Sequence, residues 1–241
     1  MYSFSIKIAD LTVGISCAHE LTQRMCAGYR VENESPLFSA EINETDKEKL
    51  RKFFLGFSEV FSEDYIENCA IFDKICSNVL KFDAAVFHAA LISFNGEGIA
   101  FAAPSGTGKT THIKLWKKLY GDGVEIINGD KPLFTLRDGR FYASGMPWCG
   151  KESWNINKTV ELKAICFLER AQENSISRID DSGEIMRRLF KQLVMPENKP
   201  ELLSKYLSFA NTLIKTVPFY ILHCNMSDNA ALTAHNELFG E

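Results

Sequence analysis

The segment Ala103-Pro104-Ser105-Gly106-Thr107-Gly108-Lys109-Thr110-Thr111 constrains this chain more than any other stretch. It fits G/A-x-x-x-x-G-K-[ST], the pattern of a phosphate-binding loop. Gly106 and Gly108 permit backbone conformations that turn successive N–H groups inward, into a nest for phosphate oxygens. Lys109 supplies a point charge for the β- and γ-phosphates, and the Thr110 hydroxyl suits Mg²⁺. Such a loop needs a strand before it and a helix behind it, whose N-terminus adds unpaired N–H donors and positive dipole. Both are legible. Gly98 to Ala103 is a short apolar run of buried-strand type. Thr110 to Tyr120 carries Ile113, Leu115, Trp116 and Leu119 at helical spacing, and Gly121 stops it. Ser105, Gly106, Thr107, Gly108, Lys109, Thr110 and Thr111 are therefore the expected contacts of ATP, or another nucleoside triphosphate, with Mg²⁺.

The rest of the chain supplies an α/β context. Phe4, Ile6 and Ile8, then Leu11, Val13 and Ile15, alternate with polar residues and predict a β-hairpin. Thr45-Asp46-Lys47-Glu48 reads as a capping box opening a helix to about Phe57. Phe72, Ile75, Cys76 and Val79 predict a second helix from Glu63 to Leu80. A strand over Val86 to Phe94 turns at Asn95-Gly96 into the strand before the loop. Strands follow at Val124 to Ile127, Leu133 to Leu136, Arg140 to Ala143, Ala164 to Leu168 and Phe219 to Cys224. Amphipathic helices are expected around Ile185 to Val194 and Leu202 to Ile214, with Ser227 capping a last one. This divides the chain into an N-terminal α+β region, 1–84, and a nucleotide-binding domain, 85–241.

Composition narrows the partners. A net charge of −4 leaves no global basic field for nucleic acid, so a phosphate site must make its own positive potential. No stretch approaches the roughly 18 uninterrupted apolar residues of a membrane span. The seven cysteines are scattered without a C-x-x-C pair, which predicts free thiols in a reducing compartment. Met1 to Lys7 lacks the pattern of a signal peptide, and a cytoplasmic chain is expected. The histidines show no zinc-site spacing.

Two further residues stand near the loop. Ile126-Ile127-Asn128-Gly129-Asp130 is an apolar strand ending in a carboxylate, placed to face a metal or an attacking hydroxyl. The alternative is a plain turn Asp after Gly129. His88 lies in the hairpin partner of the loop strand, where its ring is either a core residue or within reach of the phosphates.

The ordered set His88-Ala89-Ala90, Ser105 to Thr111 and Gly129-Asp130 resembles the phosphoenolpyruvate carboxykinase and HPr kinase/phosphorylase superfamily. Carboxykinases carry H-C-S-A, S-G-T-G-K-T-T and G-D-D; HPr kinases carry H-G, a phosphate loop and a D-D pair. The resemblance covers residues 84 to 136. The remainder, including 145–151 and 162–169, is similar to an HPr-kinase-like branch, some members of which neighbour peptide-modification genes. It implies a P-loop core with a mixed sheet. It also implies catalytic roles for Lys109, His88 and Asp130, metal binding by Thr110 and Asp130, and a phosphotransferase acting on a serine of a protein or peptide, or on a small molecule. A homo-oligomer is a further expectation. One carboxylate of the family's acidic pair is replaced by Lys131, which would neutralise a phosphate instead. The loop around Trp148 and Lys151 offers stacking and charge on the acceptor side, or else Trp148 is a buried anchor. A non-catalytic nucleotide-binding module is the alternative the missing carboxylate favours. A carboxykinase is disfavoured by length.

Overall fold

A computed structural model describes residues 1–195 and 200–240. The chain opens with the hairpin β1 (Tyr2–Ile8) and β2 (Leu11–Cys17), followed by α1 (Glu20–Met25), β3 (Arg30–Val31) and β4 (Phe38–Ala40). These strands form a sheet of order β3-β1-β2-β4. Helices α2 (Glu44–Phe54) and α3 (Glu63–Val79) follow. The first of them is capped two residues earlier than the sequence suggests. Asn43 is the N-cap, and its side chain and that of Asp46 exchange reciprocal bonds with each other's backbone N–H. Asn outranks Thr at this position.

The larger sheet is built from β5 (Ala84–Val86), β6 (Ala89–Phe94), β7 (Glu97–Ala102), β8 (Val124–Asn128), β9 (Leu133–Arg137), β10 (Arg140–Ser144), β11 (Thr159–Arg170), β12 (Ser175–Arg178) and β13 (Phe219–Cys224). Helix α4 (Lys109–Tyr120) follows the glycine-rich loop 103–108, and α5 (Ser182–Phe190), α6 (Leu203–Thr216) and α7 (Asn229–Phe239) complete the chain. The strand order is β5-β9-β10-β11-β7-β6-β8, with β13 parallel on the end of β11 and β12 on β13. Parallel pairs (β7–β11, β11–β13) and antiparallel pairs coexist, so the sheet is mixed.

Strand alternation assigns the faces. Leu91, Ala100, Ile127 and Phe167 pack with Ile185, Leu189, Phe209 and Leu213 of α5 and α6. Ile92, Phe101 and Cys166 face the other way, onto Ile113 and Trp116 of α4 and Ala231, Ala234 and Leu238 of α7. A third core joins the N-terminal sheet and α3 to Ala84, Val86, Leu133, Met146 and Trp148.

Two two-residue hairpin turns are present, the expected one at Asn95-Gly96 and another at Asp138-Gly139. Asn95 and Gly96 have φ of 51° and 91°, and Asp138 and Gly139 have 49° and 77°, the paired positive values of a type I′ turn. The expected strand from Val86 to Phe94 is two strands instead. His88 N–H donates to Gln192 O at 2.7 Å and Ala89 N–H to Asp130 O at 3.1 Å, so tertiary partners replace the ladder at the break. Ser227 does not cap α7 through its side chain. Its hydroxyl bonds Asn225, and only its carbonyl serves the helix, accepting from Ala230 N–H.

Candidate active site

Sheet geometry decides which residues meet. β6 is antiparallel to both β7 and β8, which therefore run in the same direction. Ala103 and Asp130, each just past the carboxyl end of its strand, lie on one edge of the sheet. His88, just before the start of β6, lies on that edge between them. This is where α/β sheets place ligands.

The loop has the backbone its glycines require. Gly106 and Gly108 have φ of +78° and +127°, and a Cβ on either would meet no neighbour within 4 Å. Conformation, not space, demands glycine there. Lys109 is the first residue of α4 and Gly108 its N-cap. Thr110 is half-buried and Ser105 and Thr111 are exposed. No described residue bonds the side-chain hydroxyls of Ser105, Thr107, Thr110 or Thr111.

The three expected catalytic side chains converge. Lys109, only 7% exposed, donates from Nζ to Ala103 O at 2.9 Å and lies 2.9 Å from His88 Nε2. That same Nε2 is 3.1 Å from Asp130 Oδ1. One nitrogen cannot accept from an ammonium and donate to a carboxylate at once. The Nδ1–H tautomer of His88 suits Lys109, and the Nε2–H tautomer suits Asp130. A single proton therefore couples the three groups. Burial lowers the Lys109 pKa from 10.5 to about 8, with the nearby Lys131 charge adding to the fall and Asp130 opposing it. For Asp130, burial pushes upward, but the His88 hydrogen bond and the Lys131 charge outweigh it and hold the carboxyl well below its ordinary range. Lys131 Nζ donates to Asp130 Oδ2 at 2.6 Å, so the residue standing in for the second carboxylate pairs with the first.

Residues without a motif position Asp130. Asn128 is fully buried, and its Oδ1 accepts from Asp130 N–H at 2.9 Å and Lys131 N–H at 2.7 Å. Its Nδ2 donates to Met146 O at 3.0 Å and Trp148 O at 3.2 Å. The sequence signal for this turn is Asn-Gly at a strand end. The loop that follows β10 packs against the same turn: a Cβ on Gly129 would lie 2.9 Å from Cys149 O, and one on Gly150 3.0 Å from Asp130 Cβ. Lys151 is exposed beside this contact. Trp148 is not a stacking group for a ligand. It is 7% exposed, packs on Phe72, and donates its indole N–H to Asn68 Oδ1 at 3.2 Å.

Arg170, at the carboxyl end of β11, was also unsignalled by any motif. Its Nε donates to Thr107 O at 3.0 Å and its Nη2 to Gly106 O, so it straps the glycine-rich loop to the sheet. A charged residue closing an apolar strand is the same signal that singled out Asp130.

A family model described as "ScmC: SynChlorMet cassette protein ScmC" matches residues 65–232, which takes in the loop, His88, Asp130 and Arg170. The chain belongs to the ScmC family. A search of curated proteins gave no match. Among solved structures, the Hpr(Ser) kinase/phosphatase from Coxiella burnetii is similar at 12% identity and a TM-score of 0.30. That match covers 53% of this chain and 90% of the other. All seven cysteines of this ScmC-family chain are unpaired. No described helix is long and apolar enough to cross a membrane.

Proposed function

We propose that this chain is a phosphotransferase with an HPr-kinase-like P-loop core. It takes the γ-phosphoryl group of ATP, or another nucleoside triphosphate, to a hydroxyl on a protein, a peptide or a small molecule. The observation that carries the reading is the meeting of Lys109, His88 and Asp130 at the mouth of the phosphate loop. Inward N–H groups and the Lys109 ammonium hold the phosphates. The bond between the γ-phosphorus and the β-bridging oxygen breaks, and a bond to the acceptor oxygen forms. The acceptor proton passes to Asp130, beside which His88 can relay it. An Asp held this acidic is a weak base, so its main work is to orient the hydroxyl, as a loose transition state permits.

Mg²⁺ commonly takes one or two carboxylates and completes its shell with substrate phosphates and water. The Thr110 hydroxyl and the ionised Asp130 fit that donor set. Among the described residues no group of three His, Cys, Asp or Glu could hold a resident metal. Bound with the nucleotide, Mg²⁺ would supply neutralisation of phosphate charge.

The test is Asp130→Asn. ATP-analogue affinity should stay within about tenfold of wild type while Mg²⁺-dependent turnover falls about a hundredfold or more. Wild-type turnover in Asp130→Asn refutes the mechanism. A second reading, a nucleotide-binding module without turnover, is favoured by one feature: both Asp130 oxygens are engaged by cationic or hydrogen-bonding partners. Tight ATP binding with no consumption by wild type in the presence of Mg²⁺ would select it.

A further inference from the structure

One buried amide beside the candidate site belongs to no motif. Gln192 stands just past the end of α5, in a turn where its N–H and that of Leu193 both donate to Leu189 O at 3.0 Å. Leu189 is buried in the core, so the packing of α5 fixes where this turn lies. From there the chain runs antiparallel to the segment that leads into His88. Phe87 bridges Leu193, and Val194 N–H donates to Val86 O at 2.9 Å. Gln192 is 5% exposed, and an amide so far from water needs partners.

Its partners are the two residues that hold Lys109. The side-chain NH2 faces Ala103 O at 3.1 Å and His88 O at 3.2 Å. The reverse orientation would set oxygen against oxygen at both contacts, so the NH2 donates to both. Ala103 O is the carbonyl that also accepts from Lys109 Nζ, and it has a lone pair for each donor. The backbone O of Gln192 meanwhile accepts from His88 N–H at 2.7 Å. Gln192 thus grips both backbone polar groups of His88 and the first residue of the glycine-rich loop. The His88 ring meets Lys109 at 2.9 Å and Asp130 at 3.1 Å, distances that hold only while that backbone stays in register with the loop. Glutamine suits the place because it carries two donors on one uncharged nitrogen. A cation here would add to the burial and the Lys131 charge that already oppose the Lys109 ammonium.

We propose that Gln192 is the positioning residue of this centre. Its amide locks His88 and the first residue of the loop into one register, and it acts on bound phosphate only through Lys109. Its part in phosphoryl transfer rests on the phosphotransferase reading above; its seating of Lys109 needs no turnover.

A double-mutant cycle on binding tests this. The affinity of the full chain for a non-hydrolysable ATP analogue is measured by calorimetry for wild type, Gln192→Met, Lys109→Met and the double variant. Gln192→Met should lose about tenfold, the scale of two hydrogen bonds. In the Lys109→Met background the same change should cost less than about twofold, because the group it acts through is gone. A merely structural glutamine would cost the same in both backgrounds. Gln192→Glu keeps the size of the side chain, but its carboxylate cannot donate, so it should reproduce the loss at pH 8 and replaces Gln192→Met if that variant fails a thermal melt. Long-range ¹H–¹⁵N spectra of the His88 ring, assigned with His88→Gln, report its tautomer and should change in the Gln192 variants. Unchanged affinity, additive losses or unchanged His88 ring signals overturn the inference. Wild type that binds no analogue overturns it together with the phosphotransferase reading. Wild type that binds the analogue, shows the non-additive cycle and consumes no ATP with Mg²⁺ sustains the positioning role and sinks the phosphotransferase alone.

Discussion

Replacing Lys109 with methionine should make the unliganded protein more stable. The Lys109 ammonium is 7% exposed, and the fall of its pKa from 10.5 to about 8 is dominated by burial. That fall corresponds to about 3 kcal/mol against the charged form at pH 7. Methionine keeps the apolar stem and removes the charge. Losing the bond to Ala103 O offsets about 1 kcal/mol of the gain, leaving about 2 kcal/mol net. For a chain of this size that raises Tm by about 4–8 °C. The pH dependence has a definite sign. The folded pKa lies below the unfolded one, so wild type is most penalised below about pH 8 and recovers as pH rises toward 10.5. The charge penalty should fall to somewhat under half by pH 9.5, which shrinks the net gap between variant and wild type to a few tenths of a kcal/mol. Scanning calorimetry without nucleotide, in EDTA, at pH 7 and pH 9.5 reads both effects. Isothermal calorimetry with ATP should meanwhile show binding weakened by about 2 kcal/mol or more, because the phosphates lose their point charge. A variant that melts lower than wild type at pH 7, or a gap that widens with pH, would refute the claim that this amine is held charged against its own burial.

Asn128→Ala removes the acceptor for two backbone N–H groups and the donor to two buried carbonyls, so unfolding in urea should show a loss of about 2–4 kcal/mol. Gly145→Ala would put a Cβ 1.9 Å from Ile156 O and 2.8 Å from Ile127 O, both backbone atoms, and should cost about 3 kcal/mol or more by the same assay. A thiol reagent should label Cys69 and Cys224 in the native protein before the five buried cysteines, which should react only on denaturation; mass spectrometry locates the adducts.

Local rules carried much of this protein. The glycine-rich loop with its strand and helix, the Asn95-Gly96 and Asp138-Gly139 hairpins, and the strand Phe219–Cys224 follow from glycine conformation, turn chemistry and period-two patterning, all of which act over a few residues. The N-cap of α2 lies two residues before the expected one because Asn43 and Thr45 offer competing caps, and only the folded backbone chooses between them. Trp148 was ambiguous because the same ring stacks on a ligand or fills a core, and the choice depends on Phe72 and Asn68, roughly eighty residues away. The candidate constellation belongs to tertiary structure in the same way. The sequence singles out Lys109, His88 and Asp130 one by one, but only the antiparallel strand β6 between β7 and β8 puts them on one edge. The break at His88, the pairing of Lys131 with Asp130 and the Arg170 strap across the loop depend on partners from distant segments. Glycine torsions and hydrophobic periods are local quantities and can be read along the chain. The burial that lowers the Lys109 pKa, and the charges that hold Asp130 ionised, are sums over neighbours that exist only once the sheet has closed.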